Sequence, residues 1–198
     1  MTGADDETRA VYDAQADEYA KLAHGPGLAA LEEAFLERVG AGGRILDFGC
    51  GPGRSAAAMR DAGHPVDARD ASPGMAKLAK DQYGRDVTVA GFDSLTVHAA
   101  YDGIWASFSL LHVPKAELPG ILAAVHRALT PGGQFHISLK LGEGERRDSI
   151  GRFYAYYTDA EITGLLEVAG FTVIERDFGS DVGLSGERAS WIALAAHA

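Results

Sequence analysis

Short apolar runs alternate with helical stretches along most of the chain. Seven runs carry the apolar or β-branched content of strands, and they lie at residues 44–50, 65–70, 86–92, 101–108, 133–140, 171–178 and 190–197. Helical patterns lie between them, at residues 54–63, 72–84, 114–133 and 159–169. Strands that alternate with helices predict an α/β protein whose sheet is largely parallel and has helices on both faces.

Two connections in this pattern carry no helix. Eight residues separate Phe92 from Tyr101, which is short for a parallel crossover. In a strand order of 3-2-1-4 this link spans about 15 Å, and eight extended residues reach about 26 Å, so the link is feasible. The last two strands also lack a helix between them, which predicts an antiparallel pair.

Two helices precede the first strand. The pattern predicts one over Asp5–Leu22 and a second over Leu28–Val39, with a hinge at "HGPG", residues 24–27. The first helix places Tyr12, Ala16 and Tyr19 on one face. We therefore expect a single domain over residues 1–198, with a helical cap at 1–40 and an α/β core at 41–198.

Composition and charge narrow the class of protein. The chain has 198 residues, of which 46% are apolar and 23% charged, as in a soluble globular protein. Its net charge of −10 makes a nucleic-acid partner unfavourable. The sequence shows no long apolar run and an acidic beginning, so we expect a cytoplasmic protein without a membrane partner. Cys50 is the single cysteine, and we expect no metal site.

A glycine-rich loop follows the first strand and opens a helix. Gly49, Gly51 and Gly53 stand there, and Asp70 ends the next strand, where a carboxylate accepts hydrogen bonds from ribose hydroxyls. The pair indicates a nucleoside ligand. The dinucleotide fingerprint needs glycine where this chain has Arg54, and Asp47 would repel a pyrophosphate but hold an ammonium group. This favours S-adenosylmethionine, and a nicotinamide dinucleotide remains the alternative.

Five motifs in this order resemble those of the class I S-adenosylmethionine-dependent methyltransferases: "ILDFGCGPG", "DARDASPGM", "FDSL", "YDGIWASFSLLHV" and "LTPGGQFHISLK". The resemblance implies a Rossmann-like, doubly wound seven-stranded sheet in the order 3-2-1-4-5-7-6 with the last strand antiparallel. It also implies methyl transfer from S-adenosylmethionine, which leaves S-adenosylhomocysteine.

The resemblance further implies which residues bind the cofactor. Asp47 would lie at the methionine end, Asp70 at the ribose, and the backbone of the glycine loop along both. The remaining positions would contact the adenine (Ala71, Ser72, Met75, Phe92, Asp93), present a backbone carbonyl to the methionine amine (Ser107) or cap the cofactor from the first helix (Tyr19).

The sequence signals for the residues that contact the methyl acceptor are less specific than those for the cofactor. His112 follows the fourth strand where such pockets open, and it is our candidate general base; a structural histidine is the alternative. Residues 142–158 follow the fifth strand and are rich in arginine and aromatic side chains. They and the first helix supply candidate contacts to a small anionic or aromatic acceptor: Tyr12, Arg146, Arg147, Arg152, Tyr154 and Tyr156. A solvated lid with local ion pairs is the alternative.

The sequence therefore predicts methyl transfer to a small molecule by in-line displacement. Two other functions stay open: an NAD(P)-binding oxidoreductase, and a protein that binds S-adenosylmethionine without catalysis.

Overall fold

A computed structural model describes residues 5–21 and 26–198. Its main sheet has seven strands in the order β3-β2-β1-β4-β5-β9-β8. The strands of the chain are β1 (Ile45–Phe48), β2 (Val66–Asp70), β3 (Thr88–Val89), β4 (Tyr101–Ser107), β5 (Leu129–Lys140), β6 (Glu145–Arg147), β7 (Phe153–Ala155), β8 (Thr172–Val182) and β9 (Arg188–His197).

The direction of the strands confirms the expected sheet. β1 to β5 pair in parallel, and β9 lies antiparallel between β5 and β8. Without the separate β6–β7 hairpin, the order is the predicted 3-2-1-4-5-7-6 with the last strand antiparallel. The chain thus has the Rossmann-like α/β fold.

The helices cover both faces of this sheet. They are α1 (Asp6–Ala14), α2 (Ala16–Ala20), α3 (Pro26–Val39), α4 (Arg54–Asp61), α5 (Pro73–Tyr83), α6 (Leu118–Ala128) and α7 (Asp159–Val168). In the two described ranges, no helix has both the length and the apolar character needed to cross a membrane.

The central strand β1 shows why both faces are covered. All four of its residues are buried, as expected for a strand in the middle of a parallel sheet. Successive side chains point to opposite faces: Ile45 packs with Phe35, while Leu46 joins the larger core on the other face. Asp47 therefore points to the same face as Ile45, at the end of the strand.

The predicted first helix is interrupted. The structure has two helices that meet at Gln15, whose φ of −119° and ψ of 22° are not helical. Gln15 is neither glycine nor proline, so the break has no local signal. Tertiary contacts accompany it, because Asp13 accepts hydrogen bonds from Ser72 Oγ and the Gly74 amide at the start of α5. Leu22 and residues 24–25 of the "HGPG" hinge lie outside the described residues, and α3 begins with the remaining two residues of the hinge.

Several strand ends also differ from the pattern. β3 has only two residues, both exposed at the edge of the sheet. β5 begins at Leu129, inside the predicted helix 114–133, because α6 stops at Ala128 and Leu129 pairs with Tyr101. β8 and β9 extend beyond their predicted ends into a long hairpin. The link after Phe92 carries only a 3₁₀ turn, Phe92–Ser94, as expected for a crossover without an α-helix.

Candidate functional site

A cavity of about 380 Å³ opens at the carboxyl ends of the parallel strands. This is where doubly wound sheets bind ligands. Its lining comes from the glycine loop after β1, the turn after β2, the ends of β4 and β5, the helices α1 and α2, and the β8–β9 hairpin. Both ends of the described chain thus contribute to one site.

The glycine loop requires residues without a side chain. Gly49 has a φ of +83°, and a Cβ there would lie 2.3 Å from Ser109 Cβ, so only glycine fits. The amides of Gly49 and Cys50 both donate to the carbonyl of Arg69, at 2.8 and 2.9 Å. The loop is therefore tied to β2, and Gly53 ends it in a left-handed conformation that begins α4.

Asp70 connects this loop with the next helix. Its Oδ2 accepts from the Gly51 amide at 2.8 Å, and its Oδ1 accepts from the Ser72 amide at 2.9 Å. Burial raises the pKa of the carboxyl group. Each oxygen keeps a further lone pair, so the side chain remains able to accept from a ligand in the cavity that it lines.

Asp47 has an unsatisfied oxygen. Its side chain is 2% exposed, and Oδ2 has no hydrogen-bond partner among the described residues. Burial raises the pKa of Asp47 to about 8. A buried carboxylate without a partner is costly, and this one lines the cavity. The site therefore fits a ligand that brings a cationic donor to Asp47, as the ammonium of S-adenosylmethionine does.

Of the residues predicted to contact the adenine, some line the cavity and one lies outside its described lining. Phe92 lines the cavity and packs edge-on against Phe48, with ring centroids 4.9 Å apart. Met75 lines it too, while Ser72 Oγ accepts from the Met75 amide at 3.0 Å and so begins α5. Ala71 and Ser107 also line the cavity. Asp93 lies in the 3₁₀ turn, outside the described lining, and its adenine contact stays a prediction.

Six further side chains line the cavity, and we call them the aromatic wall: Tyr12, His112, Lys140, Arg152, Tyr154 and Trp191. Ring contacts link Tyr12 to His112 at 5.4 Å and His112 to Tyr154 at 4.7 Å. Tyr12 also packs on Tyr19, whose ring lies beside Gly51. Contacts thus run from the aromatic wall through Tyr19 to the glycine loop.

His112 is fixed by two hydrogen bonds. Nδ1 lies 2.6 Å from the carbonyl oxygen of Phe153, which only accepts, so Nδ1 carries the proton. Nε2 lies 2.9 Å from Tyr12 Oη and accepts its hydroxyl proton. Burial lowers the pKa of His112 to about 4. The imidazole is therefore neutral with its lone pair already engaged, which favours a structural role over that of a general base.

Of the three predicted arginines, Arg152 alone contributes to the cavity lining that the structure describes. It is 2% exposed, donates from Nε and Nη2 to Asp148 Oδ2 at 2.9 and 2.7 Å, and donates from Nη1 to Tyr12 Oη at 3.1 Å. Its charge is compensated by Asp148.

The other two arginines point elsewhere. Arg147 is paired with Asp5 at the start of α1, at 2.9 Å from each carboxylate oxygen. Arg146 stacks on the ring of Tyr156 at 3.7 Å. Tyr154 lines the cavity, whereas Tyr156 is buried outside the described lining. The structure therefore brings Tyr12, Arg152 and Tyr154 together at the cavity, and places Arg146, Arg147 and Tyr156 outside its described lining.

The sequence did not predict two residues that line the cavity, Lys140 and Trp191. Lys140 ends β5, and its Nζ lies 3.7 Å from the centroid of the Tyr154 ring. Burial and, after it, the charge of Arg152 lower the pKa of Lys140 to about 8. Trp191, on β9, donates from Nε1 to Asp181 at 2.8 Å. The position of Lys140 at the carboxyl end of a parallel strand was the available signal.

Comparison with known proteins agrees with this geometry. Residues 45–133 match the family described as "Methyltransferase domain". A sequence relative is an uncharacterized methyltransferase of Staphylococcus carnosus (strain TM300), 28% identical over 146 residues, which are 72% of this chain and 70% of the relative. Another is the malonyl-[acyl-carrier protein] O-methyltransferase of Erwinia pyrifoliae, 30% identical over 166 residues, with 83% and 60% covered.

A solved structure gives the same fold. It is the Burkholderia thailandensis 1,6-didemethyltoxoflavin-N1-methyltransferase with bound 1,6-didemethyltoxoflavin and S-adenosylhomocysteine. The TM-score is 0.77 at 24% identity, over 96% of this chain and 86% of the other. The chain spans only 45% and 42% of two further curated methyltransferases.

Proposed function

We propose that this chain is a class I S-adenosylmethionine-dependent methyltransferase, as its similarities indicate, and that it methylates a small-molecule acceptor by in-line displacement. S-adenosylmethionine, when bound, supplies an electrophilic methyl group on a good neutral leaving group. Much of the catalysis then consists of holding the acceptor close to the methyl carbon and in line with it. The family favours this cofactor over the nicotinamide dinucleotide that the sequence left open.

Asp47 supports the proposed orientation of the cofactor. Its unpartnered oxygen lies next to the glycine loop, so we assign the cofactor ammonium to Asp47 and the ribose hydroxyls to Asp70. Phe92 and Met75 supply apolar surface for the adenine. The methyl group would then point away from the loop, towards the aromatic wall.

The observation that carries the small-molecule part of the proposal is the aromatic wall. Tyr12, Tyr154 and Trp191 come from three separate segments, and all three line the cavity. Because a cavity of about 380 Å³ must also receive the cofactor, it favours a compact acceptor. The net charge of −10 argues against a polynucleotide.

His112 is proposed as a positioning residue. It holds the Tyr12 hydroxyl and the Phe153 carbonyl, and so joins α1 to β7 across the cavity. An acceptor bound as an anion needs no general base, which is consistent with a histidine whose lone pair is engaged.

A methyl-transfer screen tests the function. The protein is incubated with methyl-labelled S-adenosylmethionine and panels of small acids, phenols, amines and thiols, and methylated product is measured together with S-adenosylhomocysteine. Gly49→Ala is the matched control, because its added Cβ meets Ser109 and blocks the loop. Product formation that Gly49→Ala abolishes supports the proposal.

A binding measurement distinguishes a methyltransferase from a protein that binds the cofactor without catalysis. If S-adenosylhomocysteine binds in calorimetry but every panel, including peptides and nucleic acids, gives no product, the chain binds the cofactor without catalysis. If methyl groups reach only a polymer, the family assignment holds and the small-molecule proposal is wrong.

A further inference from the structure

The charges of the aromatic wall are unevenly compensated. Arg152 is neutralised by Asp148 at 2.7 Å, and His112 is neutral. Asp181 accepts from Trp191. The ammonium group of Lys140, by contrast, contacts the face of Tyr154 and has no hydrogen bond or ion pair with any residue in the described ranges. The aromatic wall therefore carries one cation that still lacks an anion.

Two aromatic residues neighbour Lys140. Lys140 and Trp191 are direct partners across β5 and β9, so their side chains project from the same face of the sheet. The Nζ atom of Lys140 lies over the face of the Tyr154 ring. The indole of Trp191 is held by Asp181, and it lies over Gly179, where a Cβ would come within 2.2 Å of the ring. These rings provide flat apolar surface next to one positive charge.

We propose that Lys140 is the acceptor anchor of this methyltransferase, and that it binds the conjugate base of a small planar acid between Tyr154 and Trp191. This rests on the proposed function and narrows its acceptor class. An ammonium group pairs with carboxylate, phenolate or a deprotonated ring nitrogen, and charge-assisted contacts of this kind are strong when partly buried. Arg152, which the sequence suggested for this task, has its charge committed to Asp148.

The proposed methyl transfer needs no general base from the protein. The acceptor loses its proton to solvent as it binds, and the lone pair left on its oxygen or nitrogen forms the bond to the methyl carbon. The electron pair of the broken carbon–sulfur bond stays on sulfur. Lys140 keeps its proton throughout and stabilises the anionic form that carries the lone pair.

The test uses two probes of equal shape, 4-nitrobenzoate and 4-nitrobenzamide, titrated into the protein saturated with S-adenosylhomocysteine. The wild type is expected to bind the anion about tenfold more tightly than the amide, and Lys140→Met to lose that preference. Lys77→Met removes an exposed lysine outside the cavity and should keep the preference. Both variants should bind S-adenosylhomocysteine like the wild type.

The pH dependence gives a second readout. Charged and titratable groups that interact with Lys140 are His112, Arg146, Asp148, Arg152, Tyr154 and Glu187, and Asp181 is bonded to its strand partner Trp191. The pKa of about 8 means that Lys140 loses its charge as the pH rises through that value. Binding of 4-nitrobenzoate should therefore weaken above pH 8 in the wild type and persist in Lys140→Arg, whose guanidinium stays charged.

Equal binding of the two probes to the wild type would overturn the proposal, as would undiminished binding of the anion by Lys140→Met. If Lys140→Met does not fold, identical pH profiles of the wild type and Lys140→Arg would overturn it instead. Because each titration follows demonstrated cofactor binding, a negative result here leaves the methyltransferase function standing. Absence of both cofactor binding and methyl transfer would reject that function itself.

Discussion

At the scale of single residues, Asp47 is the group whose chemistry changes most when the cavity is filled. Its pKa of about 8, raised by burial from 3.8, means that the carboxyl group holds a proton at neutral pH. Between these values the folded state binds a proton that the unfolded state has released. Asp47 therefore reduces the stability of the free protein as the pH rises from about 4 to 8.

Cofactor binding should release this proton. A cationic ammonium next to Asp47 favours the carboxylate, so about one proton should leave the protein at pH 7 when S-adenosylhomocysteine binds. Calorimetry in two buffers of different ionisation enthalpy measures that number. Asp47→Asn should abolish the release and weaken binding about 100-fold. The exposed Asp81→Asn serves as control, and unchanged proton release in Asp47→Asn would contradict the assignment.

His112 leads to a different prediction. Because its pKa lies near 4, it stays neutral throughout the range from pH 5 to 8, and its replacement should not change the shape of the pH–rate profile. His112→Ala should lower stability by about 1–3 kcal/mol through the two unsatisfied groups, and raise the KM for the acceptor. His112→Gln, which supplies a donor and an acceptor, should restore much of both. Loss of an acidic limb in the profile of His112→Ala would instead identify a general base.

Residues of the loop could be named from the sequence because their signal is local. Gly49, Gly51 and Asp70 follow directly from strand ends and from the backbone freedom of glycine. Lys140 could not be recognised in this way. Its surroundings depend on Tyr154, which belongs to the separate β6–β7 hairpin, and on Trp191, which reaches it through the β5–β9 pairing.

At the scale of elements, the β6–β7 hairpin carries two ion pairs of unequal exposure, one with the residue that caps α1 and one within its own loop. Arg147 and Asp5 form an ion pair whose side chains are 39% and 24% exposed. Arg152 and Asp148 form one whose side chains are only 3% and 1% exposed. The Phe153 amide also donates to Thr8 Oγ1 at 2.8 Å. The hairpin and the helix thus pack as one unit over the cavity.

Replacing each arginine by methionine should show that the two ion pairs contribute differently to the free energy of unfolding. Arg152→Met leaves the Asp148 carboxylate buried without its partner and should cost about 3–5 kcal/mol of unfolding free energy. Arg147→Met breaks an exposed pair and should cost about 1 kcal/mol or less. Denaturant unfolding of both variants measures the difference. Similar losses in the two variants would mean that the buried pair is better solvated than its exposure indicates.

The β6–β7 hairpin and α1 also show what the sequence pattern could not predict. Residues 142–158 were expected over the strand ends, but the hairpin within them was not predicted, since Glu145–Arg147 is exposed and lacks apolar alternation. The break at Gln15 was missed for a related reason. It is accompanied by contacts of Asp13 with α5, and no residue in the helix itself signals it.

At the scale of the whole molecule, the cavity joins segments that are distant in sequence. Thr8 and Tyr12 of α1, the loop after β1, and Trp191 of β9 all line it. A ligand that contacts these segments binds only the folded chain, so it stabilises the whole fold by mass action.

Thermal unfolding should report this linkage. S-adenosylhomocysteine at about 100 times its Kd should add ~2.7 kcal/mol, which raises the Tm of a chain of this size by about 5–10 °C. NAD at the same concentration should leave the Tm unchanged. A shift with NAD and none with S-adenosylhomocysteine would contradict the assignment of the cofactor.

The insertion of β9 between β5 and β8 has a consequence for biosynthesis. The ribosome makes β9 after every other strand of the sheet, so β5 keeps an open edge and β8 has no neighbour until that segment emerges. The glycine loop, Asp70 and Phe92 are made much earlier, in the first half of the chain. The nascent protein therefore acquires the residues proposed to hold the cofactor first, and the Trp191 side of the proposed acceptor site last.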